Sequence, residues 1–209
     1  MRVRFVPPLA IITALALAGG CSSSTRDDTA DPTVPTTTEE TTTTAAPDPF
    51  AVPEVIDEAY VNKVLAALDQ VDGEALRRVV TNGTVQIEVS SMVRAIYNDP
   101  QFEQELGGLF KVFAEGLEPF KNPPGNRRRT VTRFGTGSPE CIFTEVHSDF
   151  SAVLKAPPPD PPGEVEIVTL RPTQTGADPE NHNPTPWSVS NSEVIKTGEV
   201  PAERARCDP

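Results

Sequence analysis

Apolar residues in this chain recur at two different periods, and the change between them at Asn122-Pro123-Pro124-Gly125 leaves few architectures open. Upstream, the spacing is helical. Ile56, Tyr60, Val64, Leu68 and Val71 fall on one helix face, and Asp72-Gly73 predicts a break after them. Asp72 is then placed to cap a short second helix through Ala75, Leu76, Val79 and Val80. Asn82-Gly83 reads as a turn, after which Thr84 is placed to cap a helix carrying Val85, Val89, Met92, Val93 and Ile96. Asn98-Asp99-Pro100 predicts a further start, with Asp99 as the cap and Pro100 at the first helical position. Phe102, Leu106, Leu109, Phe110 and Phe113 form the stripe of that last helix, which ends near Gly116. Downstream the period is two. Strands are predicted at 128–134, 141–154, 164–170 and 187–195, with a turn at 135–139 and a loop at 157–163. A run of helices followed by a run of antiparallel strands predicts an α+β domain over 50–209, its N-terminal helices packed on one face of a sheet of about four strands.

What precedes that domain has a different composition. Arg2 and Arg4 lead into an uncharged apolar run, Leu9 to Ala18, which is far shorter than the roughly 20 residues a membrane-spanning helix needs. Positive start, apolar run and the small residues Gly19 and Gly20 together read as an export signal over 1–20. Leu17-Ala18-Gly19-Gly20-Cys21 resembles the lipobox of bacterial lipoproteins, with Ala18 standing where that family most often has leucine. The resemblance implies that Cys21 carries a diacylglyceryl thioether and further acyl chains such as palmitate. It also implies anchoring to the extracytoplasmic face of the cell membrane, since two or more chains hold stably where one does not. Residues 21–49 include ten threonines, Pro32, Pro35, Pro47 and Pro49, and no aromatic side chain. Nothing apolar recurs there to offset the entropy of ordering, so a disordered, extended tether is expected.

Charge narrows the list of partners. Residues 1–20 hold two of the 18 basic residues and none of the 30 acidic ones, so the remainder carries a net charge of −14. That balance argues against nucleic acid and against electrostatic adhesion to anionic headgroups. Any membrane attachment is therefore expected through the lipid. Arg127-Arg128-Arg129 is the single basic cluster; it reads either as a contact for an anionic partner or, more simply, as the charged lead-in to a strand.

The order of elements is similar to that of the NTF2-like (cystatin-like, cone-shaped) superfamily over about residues 53–196. Three features carry the resemblance. They are the helix-break-helix from Tyr60 to Val80, interrupted at Val71-Asp72-Gly73; the long hairpin strands; and the closing strand from Pro186-Trp187-Ser188-Val189 to Glu193-Val194-Ile195. The second pair of helices departs from that pattern, in which a strand is often inserted before the sheet. The resemblance implies a strongly bent sheet enclosing a cone-shaped pocket, and exported actinobacterial lipoproteins are similar in layout.

Two cysteines remain besides Cys21. In an exported domain, Cys141 and Cys207 are expected to form a disulfide; free redox thiols or metal ligands are the alternative, without a CxxC to support it. Candidate chemistry is sparse. Glu145, His147 and Asp149 alternate along one strand face and, with Tyr97, are the only catalytic constellation on offer. The simpler assignment makes that face the solvent side, with Ile142, Val146 and Phe150 packing inward. Asp178, Glu180 and His182 share a proline-rich loop but lack the oxygen-ligand spacing of a cation site. There is no phosphate loop, Ser-His-Asp spacing or zinc pattern, and no cofactor or metal is expected. Tyr97, Phe102, Phe110, Phe113, Phe150 and Trp187 are the candidate lining of a ligand pocket. The resulting expectation is a non-catalytic, membrane-anchored envelope lipoprotein that binds a partner protein or an apolar ligand. A small isomerase or hydratase using His147 or Asp149, and a structural subunit of an envelope transport complex, are the alternatives.

Overall fold

The computed structural model describes residues 48–157, 163–195 and Cys207. The export signal over 1–20, Cys21 and nearly all of the Thr/Pro tether lie outside the described residues. The described part is α+β: helices α1 (Glu58–Asn82), α2 (Ile87–Ile96) and α3 (Gln101–Glu115), then strands β1 (Arg128–Ser138), β2 (Cys141–Asp149), β3 (Glu164–Pro172) and β4 (Trp187–Val194). The strands form one antiparallel meander in the order β1-β2-β3-β4. None of these helices is long and apolar enough to cross a membrane.

Helix α1 begins where Asp57 accepts the Tyr60 N–H at 2.8 Å. It ends at Gly83, whose φ of 63° lets its N–H reach the Val79 carbonyl at 2.9 Å. Between those points it is continuous, so the expected break at Asp72-Gly73 is not there. Gly73 serves close approach instead. A Cβ at that position would stand 2.2 Å from Asn126 Oδ1, which accepts from Arg77 Nη1 at 2.7 Å. The caps of the next two helices also differ from expectation. Gln86, not Thr84, precedes α2, and Pro100, not Asp99, precedes α3, because Asp99 is drawn into an ion pair with Arg94 at 2.6 Å.

Strand β1 runs on to Ser138 through the expected turn at 135–139, with register shifts at Val131/Arg133 and Phe134/Thr136. Shifts of this kind bend and over-twist a strand. Strand β2 stops at Asp149 rather than continuing to residue 154: Asp149 Oδ1 accepts the Ser151 N–H at 2.7 Å, and the Val153 and Leu154 N–H groups turn back to the Phe150 carbonyl.

The core lies between α1, α2 and one sheet face, built from Val61, Val64, Leu65, Leu68, Val79, Val93 and Ile96 against Ile142, Val146, Val168, Leu170, Trp187 and Val189. Edge strand β1 is covered by α1, whose Asn62 and Asp69 accept the N–H groups of Val131 and Arg129, each at 2.9 Å. At the other edge, Tyr97 bridges Val189 and the Asn98 N–H reaches the Val189 carbonyl. Cys141 and Cys207 are bonded, with their Cα atoms 5.7 Å apart.

Candidate functional site

Two acidic residues of α1, Asp69 and Asp72, sit three apart and so share the helix face that meets the sheet. Arg127, directly before β1, and Arg129 within it are two apart and share the sheet face that meets α1. The result is a charge network inside the molecule. Arg129 is 0% exposed; its Nε stands 2.7 Å from Asp69 Oδ1, and its N–H donates to Oδ2 of the same carboxylate. Arg129 Nη1 and Nη2 are buried with no hydrogen-bond acceptor among the described residues. Arg127 Nη2 donates to the Tyr97 hydroxyl at 3.0 Å and to Asp72 Oδ2 at 3.4 Å, and the Tyr97 hydroxyl donates to Asp72 Oδ1 at 3.2 Å. On β3, Glu166 lies 3.9 Å from Arg127 Nη1 and accepts from Ser192 Oγ at 2.7 Å. Burial alone would raise the Glu166 pKa, yet the charges of Arg127 and Arg129 outweigh it and hold the carboxyl below its ordinary value. Burial pushes the Tyr97 hydroxyl well up, so it stays a donor.

Asp72 and Arg127 also line a cavity of about 340 Å³, at the lower end of the size range of small-molecule pockets. Its walls are mostly apolar: Leu76 of α1, Val93 of α2, Leu109 and Val112 of α3, and Phe150 and Val153 from the turn after β2. Glu105 of α3 joins Asp72 and Arg127 to make one polar corner. Its Oε1 accepts from Gln101 Nε2 at 2.8 Å, and Gln101 Oε1 in turn accepts the Ser192 N–H at 3.1 Å. Burial, with Asp72 beside it, pushes the Glu105 carboxyl above its ordinary pKa. The arrangement suits an apolar body with one polar end.

The candidate residues divide unevenly around this cavity. Phe150 lines it, and Tyr97 is fully buried behind it, hydrogen-bonded to two of its polar residues. Phe110 and Phe113 are not lining residues: they are 50% and 43% exposed on α3. Trp187 is not one either, being buried in the main core with its Nε1 donating to the Tyr60 hydroxyl at 2.9 Å. Phe102 packs on the edge of that core and under Arg94.

Glu145, His147 and Asp149 alternate with the buried Ile142, Thr144, Val146 and Ser148, which puts all three on the sheet face opposite the helices. There Glu145 accepts from Thr132 Oγ1 at 3.0 Å and meets Arg133 at 3.5 Å. The Ser151 N–H holds Asp149 below its usual pKa. These three residues are therefore not assembled in the cavity. The loop carboxylates act on their own loop. Asp178 accepts the N–H groups of His182 and Asn183, and Glu180 pairs with His182 Nε2 at 2.7 Å. No group of three metal-ligating side chains able to hold an ion occurs among the described residues.

The Arg127-Arg128-Arg129 cluster is neither a basic surface nor a simple charged lead-in, since only Arg128 faces solvent. Sequence reasoning missed Asp69, Glu105 and the inward turn of Arg127 and Arg129, and it gave Asp72 a capping role. A signal was available in the acids set directly against the apolar stripe, Leu68-Asp69 and Val71-Asp72, and in arginines at strand spacing with Val131. No protein-family model matches the chain, and no curated protein or solved structure matches it either.

Proposed function

We propose that this chain is a lipid-anchored envelope protein whose domain is a non-catalytic binding module, with the cavity beside α3 receiving an apolar ligand. The observation that carries the reading is the cavity itself: apolar walls from α1, α2, α3 and the turn after β2, closed at one corner by Asp72, Glu105 and Arg127. The lipobox resemblance at Leu17 to Cys21 supports the anchoring and the extracytoplasmic location. Three helices ahead of a four-stranded antiparallel meander support an NTF2-like arrangement, in which a pocket between helices and sheet is the usual ligand position. The isomerase alternative keeps one favouring observation, two carboxyl groups at the cavity, but it moves from His147 and Asp149 to Asp72 and Glu105.

The test uses N-phenyl-1-naphthylamine, an uncharged probe whose fluorescence rises in apolar surroundings. The full chain is expected to bind it saturably. Val112→Trp, which places an indole where Val112 now faces open space, is expected to abolish binding while leaving far-UV circular dichroism unchanged. Saturable binding unaffected by Val112→Trp, or none at all, would remove the reading.

A further inference from the structure

The polar corner specifies which apolar ligand fits. Three carboxylates (Asp69, Asp72, Glu166) meet two guanidinium groups (Arg127, Arg129), leaving one negative charge uncompensated. Glu105 adds a carboxyl that burial pushes toward the neutral form. Asp72 is the member with capacity to spare. Its side chain is 29% exposed, and its two hydrogen bonds, at 3.2 and 3.4 Å, are long for a carboxylate that has about four lone-pair sites. Arg127, by contrast, is 13% exposed and already faces Asp69, Asp72 and Glu166.

We infer that the cavity binds a cationic amphiphile, an apolar body carrying one ammonium group that pairs with Asp72. The inference rests on the reading of the cavity as a ligand pocket. An ammonium group brings the corner to neutrality and supplies donors to the under-used oxygens of Asp72. A carboxylate of the same length would enter beside Asp72 and Glu105, where Arg127 already faces three carboxylates at 3.4 to 3.9 Å. In a poorly solvated corner, like charges brought together are strongly disfavoured. An alcohol donates one hydrogen bond but leaves the charge where it was. The apolar tail then lies among Leu76, Val93, Leu109, Val112 and Phe150, where each buried methylene contributes alike whatever the head group. The head therefore sets selectivity and the walls set only the general affinity.

Displacement of N-phenyl-1-naphthylamine from the full chain by decylammonium, 1-decanol and decanoate, each below its aggregation concentration, tests this. Decylammonium is expected to bind at least about tenfold more tightly than decanoate, with decanol between them. Asp72→Asn is expected to cut that preference to about twofold or less while changing decanol affinity little. Asp72→Ser, which removes the same carboxylate and leaves a hydroxyl beside Tyr97 and Arg127, serves if Asp72→Asn does not fold, and it too should lower decylammonium affinity more than decanol affinity. Decanoate binding as well as or better than decylammonium would overturn the inference while leaving the pocket intact. Normal probe binding with no response to either variant would do the same. A chain that binds neither the probe nor any of the three ligands would overturn both the inference and the function it rests on.

Discussion

Arg129 is a residue whose cost is visible. It is 0% exposed, two of its terminal nitrogens have no acceptor among the described residues, and its charge is met at close range by Asp69 alone. Removing one partner of a buried ion pair strands the other, which costs about 3–5 kcal/mol. Asp69→Asn is therefore expected to lower unfolding free energy by that order, read from urea denaturation, even though an amide oxygen still reaches the Arg129 N–H. A loss below about 1 kcal/mol would mean that water reaches the pair. Glu166 gives the network a pH signature. Its folded pKa lies below the ordinary 4.5, so its stabilising contribution is present above that value and is lost as pH falls through the folded one. The stability gap between the wild type and Glu166→Gln should hold near neutrality and narrow below about pH 4.5. Taking the difference cancels other carboxylates that titrate in the same range, such as Asp149. A gap constant down to about pH 3 would exclude an ionised, paired Glu166.

Helix α3 is the least buried of the three helices: only Gln101 is fully buried in it, and Gly107-Gly108 sits at its middle. A methyl group at either glycine meets no atom within 4 Å, so nothing steric demands glycine there. Glycine in a helix interior costs about 1 kcal/mol relative to alanine. Gly107→Ala should raise the melting temperature by a few degrees, the shift expected for about 1 kcal/mol in a domain of this size. An unchanged or lower melting temperature would show that α3 is held by packing that backbone stiffness does not help. The elements themselves were legible in the sequence, because side-chain period reports burial directly and both periods are strong here. The misplaced boundaries have tertiary causes. Gly73 looked like a helix breaker, but its missing side chain admits Asn126, 53 positions downstream. Thr84 and Asp99 looked like caps, yet Asp99 is taken by Arg94. The two helices begin after Gln86 and Pro100, without a side-chain cap at either.

At the scale of the molecule, the candidate site was the least legible part, since it joins Asp69 and Asp72 to Arg127 and Arg129 across nearly 60 residues, and no local pattern reports such a pairing. The disulfide was easier, because two cysteines left over besides Cys21, in a domain expected to be exported, restrict the choice. Its two ends are 66 residues apart, and the loop it closes contains β2, β3 and β4. A cross-link over a loop of that length removes conformations from the unfolded chain worth up to about 4 kcal/mol in the chain-entropy treatment. Cys141 is nearly fully buried at the start of β2, and serine there also places a hydroxyl where a sulfur packed. Cys207→Ser alone separates the two effects, since it opens the same loop without touching the β2 side chain. Both Cys207→Ser and the double variant Cys141→Ser/Cys207→Ser should lose about 2–4 kcal/mol, the double variant somewhat more. In both, the dependence of unfolding free energy on urea should steepen as the unfolded chain expands. If Cys207→Ser costs less than about 1 kcal/mol while the double variant costs several, the bridge contributes through packing at Cys141 rather than through the loop. In that case the order of the meander would hold without its C-terminal tie.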